Sequence, residues 1–210
     1  MLRDQAMDQI KAGLGFRTGT ELDQYIVNAL QRAQRLEEQG TDLPWFLERT
    51  ATVNVAPGGT TAPLRTDFIR EIPFRPAFYL VDGRPVELKR RNPLDIRHWP
   101  ANSYRLAYTI TPTQLVVAPA TRDGLSLSLS YWGKDTILTT NIENGWLREA
   151  PEILVGAAGS MVASYLGYAQ GVAIFDRIYT AAKSALLRET VAKQADADVV
   201  VMGSEVGYAY

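Results

Sequence analysis

The hydrophobic period of this chain changes twice, and that pattern limits the folds open to it more than any other feature. Before about Thr50, apolar residues recur every three or four positions. Leu22, Tyr25, Ile26, Ala29, Leu30, Ala33 and Leu36 fall on one side of a helix, with Glu, Gln and Arg opposite. The spacing predicts amphipathic helices over residues 4–14 and 21–39, the second capped by Thr20 and stopped at Gly40. From Thr50 the period drops to two. Val53 and Val55 alternate with polar neighbours, as do Tyr104, Leu106, Tyr108 and Ile110, and then Leu125, Leu127, Leu129 and Tyr131. Helical spacing returns near Trp146. Pro151 suits a first helical turn, and Val172, Phe175, Ile178, Tyr179, Ala182 and Leu186 later share a face.

The β-rich stretch carries its own turn signals. Asp82-Gly83, between Phe78–Val81 and Val86–Leu88, predicts a tight hairpin because that pair tolerates positive φ. Asn92-Pro93 predicts a short helical turn. Leu115 to Ala118 and the Arg122-Asp123-Gly124 turn join the two later alternating runs into a three-stranded antiparallel meander. No repeat or low-complexity linker separates this stretch from its flanks, so it reads as an insertion within one domain. The expected fold is α+β: a helical bundle formed by N- and C-terminal helices, with an inserted antiparallel β-rich module. Its segments are helices over residues 1–49, the insertion over 50–140, the closing helices over 141–195 and a C-terminal arm over 196–210. Periodicity ends after Gln194, and Val199, Val200 and Val201 favour an extended strand.

Charge and composition narrow the function classes. Net charge is −1, which gives no global pull toward nucleic acid or membranes. Residues 50–140 hold 11 Lys+Arg against 7 Asp+Glu, net +4; the rest hold 11 against 16, net −5. The longest uncharged stretch, Ile153 to Phe175, is diluted by Gly156, Gly159, Ser160, Ser164, Gly167, Gln170 and Gly171, and so reads as a closely packed helical segment rather than a membrane span. Met1-Leu2-Arg3-Asp4-Gln5 opens no apolar leader, so no secretory signal is expected.

The sequence carries no catalytic constellation. Without cysteine there are no disulfides, thiolate nucleophiles or cysteine metal sites, which fits assembly in a reducing compartment. His98 is the only histidine, so the usual zinc sites are out of reach. No nucleophile elbow, Walker A sequence or dinucleotide fingerprint occurs. No catalytic, cofactor or metal-binding residue is assigned, and the expectation is a protein that is not an enzyme. Lys89-Arg90-Arg91 is the only basic run. It reads as an ion-pairing interface patch or as a contact with DNA phosphates.

Each period change carries a distinctive phrase. Asp42-Leu43-Pro44-Trp45-Phe46-Leu47 follows the second helix, and Asn144-Gly145-Trp146-Leu147-Arg148-Glu149-Ala150-Pro151-Glu152 precedes the next. With Thr66-Asp67-Phe68-Ile69-Arg70-Glu71 between them, this order resembles the head-to-tail adaptor (connector) proteins of tailed bacteriophages. The resemblance implies a structural virion protein, assembled in the host bacterial cytoplasm into a homo-oligomeric ring, usually a dodecamer. That ring would join the portal of the head to a downstream tail or stopper protein. The resemblance also implies a portal-binding arm, to which Val199, Val200, Val201, Tyr208 and Tyr210 belong, and it leaves room for non-specific contact of Lys89, Arg90 and Arg91 with packaged DNA. The large β-rich insertion departs from compact members of that family. The alternatives are another tail-completion or baseplate protein, with the insertion as its interaction module, and a hydrolase using His98.

Overall fold

The computed structural model describes residues 1–15, 17–73 and 75–205, with the backbone course alone for 196–205. Tyr208 and Tyr210 lie outside the described residues. The chain forms two compact units, Met1–Leu47 with Asp135–Tyr210, and Glu48–Lys134. Helices stand at both ends and a mostly antiparallel β-rich module in the middle, so the expected α+β class holds.

The helical unit contains α1 (Arg3–Gly13), α2 (Thr20–Glu38), a 3₁₀ turn (Trp45–Leu47), α4 (Gly145–Glu149), α5 (Pro151–Tyr165) and α6 (Ala169–Glu205); α3 (Pro93–Arg97) belongs to the other unit. Ile26, Ala29, Leu30 and Ala33 of the predicted stripe are buried, whereas Leu36 is half exposed. Thr20 sits one place inside the helix that it was expected to cap, after Gly19. N- and C-terminal segments share one bundle, because α5 packs on α1, α2 and α6. Small residues permit that central position. A Cβ on Gly156 would stand 2.7 Å from the backbone N of Tyr179, and one on Gly159 would stand 2.3 Å from the Phe175 ring. The uncharged stretch is broken at Gly167 (φ +66), and no described helix is long and apolar enough to cross a membrane.

One expectation for the C-terminal part is overturned. α6 runs for 37 residues to Glu205, so Val199, Val200 and Val201 lie on helical backbone rather than in an extended strand. β-branched residues favour strands only weakly, and a helix already nucleated propagates through them at small cost per residue.

The β-rich unit is a pair of packed sheets. One orders β1 (Glu48–Val55), β9 (Leu125–Gly133), β4 (Phe78–Val81) and β5 (Arg84–Glu87), with β3 (Phe68–Glu71) also on β9. The other orders β2 (Thr61–Pro63), β8 (Gln114–Ala118), β7 (Ala107–Ile110) and β6 (Lys89–Arg90). Val53, Val55, Leu127 and Leu129 from the first sheet pack with Ala62, Tyr108, Leu115 and Val117 from the second. The Asp82-Gly83 hairpin forms with both turn residues at positive φ (50 and 78). Asn92 caps α3 by accepting from the Leu94 and Asp95 N–H groups.

The three-stranded meander does not form. β7 and β8 pair as expected, but β9 leaves them after the Gly124 turn and pairs with the whole of β1, Val55↔Leu125 to Glu48↔Trp132. Alternation requires that one face of β9 be buried. It does not say which strand lies beside it.

Candidate functional site

The two junction phrases meet inside the helical unit. The Phe46 and Trp146 rings pack edge to face, with centroids 5.1 Å apart and planes at 89°. Beneath them lies a buried polar knot centred on Glu38, which is 6% exposed. Its Oε1 accepts from Gln34 Nε2 (3.0 Å), the Asp135 N–H (3.1 Å) and Trp146 Nε1 (3.3 Å). Asn144 Nδ2 donates to Gln34 Oε1 (3.3 Å) and to the Thr136 carbonyl (2.8 Å), and Asn144 Oδ1 accepts from Leu147 N–H as the cap of α4. Asp135 Oδ2 accepts from the Trp146 N–H (3.2 Å). A buried carboxylate is tolerated only when donors replace its water, and here three do. The knot therefore ties the end of α2 to the segment from Asp135 to Trp146. It holds structure together and contains no nucleophile with an adjacent base.

Sequence reasoning missed this knot, although a signal was present. Gln34 and Glu38 continue the row Ile26, Leu30 at four-residue steps on the apolar side of α2. Polar residues on a buried row need partners. A second bond set holds α2 to α6: Glu37 accepts from Tyr179 Oη at 2.7 Å and from Lys183 Nζ at 3.0 Å.

In the β-rich unit the basic run is mostly engaged. Arg90 Nε pairs with Glu71 Oε2 at 2.7 Å, and the Arg91 guanidinium lies over the Trp99 ring at 5.0 Å. Lys89 is exposed on β6 and is the one cation of the three without an ion pair or ring contact among the described residues. Behind Arg90, Tyr108 Oη donates to Glu71 and accepts from the Ala77 N–H at 3.2 Å. Burial, and then that bond to Glu71, push the Tyr108 phenol well above its usual range. His98 ends α3 as an exposed residue. Among the described residues no group of three His, Asp or Glu side chains is placed to hold a metal ion.

The distal part of α6 is the remaining feature. At about 1.5 Å per residue its 37 residues run roughly 55 Å, against roughly 22 Å for the 15 of α5. Toward the C-terminal part of α6, Lys193 Nζ sits 3.3 Å from the Trp45 ring centroid, so the first junction phrase also holds α6.

Comparison with known proteins supplies the family. The family model for the SU10 adaptor protein matches residues 2–202. The chain belongs to the SU10 adaptor protein family, and the resemblance to phage head-to-tail adaptors holds over nearly its whole length. It is a structural adaptor protein of a bacteriophage. No curated protein matches the chain.

Proposed function

We propose that this adaptor forms a ring, most simply a dodecamer, at the head-to-tail junction of the virion, where it joins the portal protein to a downstream tail or stopper protein. Assembly would take place in the host bacterial cytoplasm. The family match over residues 2–202 is the observation that carries this reading. Two features of the helical unit support it. The knot around Glu38 ties α2 to the segment from Asp135 to Trp146 within the bundle, and a closed ring repeats the same surfaces from subunit to subunit. The far end of α6, with Val199, Val200 and Val201, supplies a candidate portal-binding arm, to which Tyr208 and Tyr210, outside the described residues, would also belong. Since the backbone at residues 199–201 is helical, that part of the arm would dock as a helix rather than as an added strand. Non-specific contact with packaged DNA would fall chiefly to Lys89, because Arg90 and Arg91 are occupied by Glu71 and Trp99.

The arm is tested by removing residues 196–210. The shortened protein should lose only the helical signal of the deleted end of α6 and keep its melting behaviour, while its affinity for purified portal falls by roughly tenfold or more, about 1.4 kcal/mol. Equal portal affinity for the full and shortened chains would remove the arm from the mechanism.

A further inference from the structure

Within the β-rich unit, the ladder between β4 and β9 stops after a single pair. Phe78 stands opposite Ser128. Continuing in the antiparallel direction would set Tyr79 against Leu127, Leu80 against Ser126 and Val81 against Leu125, and none of these pairs forms. β4 instead uses its other edge for β5 as far as Val81↔Arg84, and β9 uses its other edge for β1 as far as Leu125↔Val55. A cleft of about 830 Å³ opens between the strands, lined by Tyr79 and Leu80 on one wall, by Leu125 and Leu127 on the other, and also by Tyr104 and Arg122. Each wall is a strand edge whose peptide groups lack a neighbouring strand, and such edges are templates for pairing with another chain. Leu80 is 64% exposed and Tyr104 is 89% exposed, so the cleft also has apolar surface at hand.

We infer that this fork receives one extended segment of another protein, acidic at its ends and apolar at alternate positions, which enters between β4 and β9 as an added strand. This goes beyond the ring and the portal arm and does not depend on either. The alternation follows from strand geometry, since every second side chain of the guest meets the cleft lining. The charge follows from the unit itself. Residues 48–134 hold 12 Lys+Arg against 7 Asp+Glu, net +5, and ion pairs to Arg75, Arg90 and Arg65 occupy three of those acids, Glu48, Glu71 and Asp67. Asp123 is the one acid in the lining. Arg122 in the lining and Arg84 at the hairpin turn have no ion-pair partner among the described residues. An acidic segment matches this field, whereas the β-rich unit of a second copy would bring like charge to it.

The test uses the full chain and two synthetic peptides of alternating valine and threonine, one flanked by glutamates and one by lysines. Amide exchange at residues 79–81 and 125–127 is the readout. The acidic peptide should slow exchange there by roughly tenfold or more, and either Arg122→Glu or Leu80→Asp should weaken its binding about tenfold. Unchanged protection along β1 in those variants shows that the fold is intact. Four results would each overturn the inference: no slowing by the acidic peptide, equal slowing by the lysine-flanked peptide, amides already protected without peptide because the fork closes on itself, or protection that rises with protein concentration alone because a second copy enters.

Discussion

Replacing Trp146 with phenylalanine removes one hydrogen bond from the knot while keeping an aromatic ring against Phe46. Trp146 is 1% exposed, and its Nε1 donates to Glu38 Oε1 at 3.3 Å. That bond is long, so its loss from a charged acceptor should cost about 1.5 kcal/mol, the low end for such bonds. The missing part of the indole leaves roughly 40 Å³, which adds about 1 kcal/mol at the known cost of buried cavities. Gln34 Nε2 and the Asp135 N–H stay on the same oxygen, so no larger loss is expected. Two compact units make a single global unfolding transition a poor reporter. Native-state amide exchange reads the helical unit directly. Amides of α2 and α5 that exchange through opening of this unit should speed up by between one and two powers of ten, the equivalent of about 2.5 kcal/mol. An acceleration below about threefold, well under 1 kcal/mol, would show that the knot contributes little and that the reasoning is wrong.

Gly156→Val should lower the melting midpoint of the helical unit. Its Cβ would collide with α6 backbone at Tyr179 rather than with a movable side chain, and the resulting strain of about 1–3 kcal/mol exceeds the gain in helix propensity; an unchanged midpoint would contradict the close packing of α5 and α6. Tyr108→Phe should cost about 1–2 kcal/mol at neutral pH, because the Ala77 N–H and Glu71 both lose the phenol. The same variant tests pH dependence. The folded state holds the Tyr108 proton more tightly than the unfolded chain does, so the stability from this group is present below about pH 10 and is lost as pH rises beyond it. The melting midpoint of the β-rich unit should therefore fall off above that pH in the native protein and less steeply in Tyr108→Phe; equal slopes would sink the assignment.

The helices were legible because their cause is local. The stripe from Leu22 to Ala33 and the small residues of α5 predict buried faces wherever the partner lies. The Asp82-Gly83 hairpin was legible for the same reason, since the turn needs positive φ at two adjacent residues. Pairing of β9 was not. Asn54 and Ser126 are 72 residues apart, and the alternation of Leu125 to Tyr131 is the same whether β8 or β1 lies beside it. The knot was half legible: Gln34 and Glu38 mark a polar step on an apolar row, but their partners Asp135 and Asn144 follow about a hundred residues later. The basic run shows its charge in the sequence and hides its partners, because Glu71 and Trp99 reach it only through the fold.

The central claim, a ring at the head-to-tail junction, is tested most directly by counting subunits. Purified adaptor would be mixed with assembled portal and the complex examined by native mass spectrometry and by averaged electron micrographs. The account predicts a closed ring on one end of the portal, with twelve copies as the expected number for a dodecamer. An adaptor that stays monomeric both alone and in the presence of portal would contradict it.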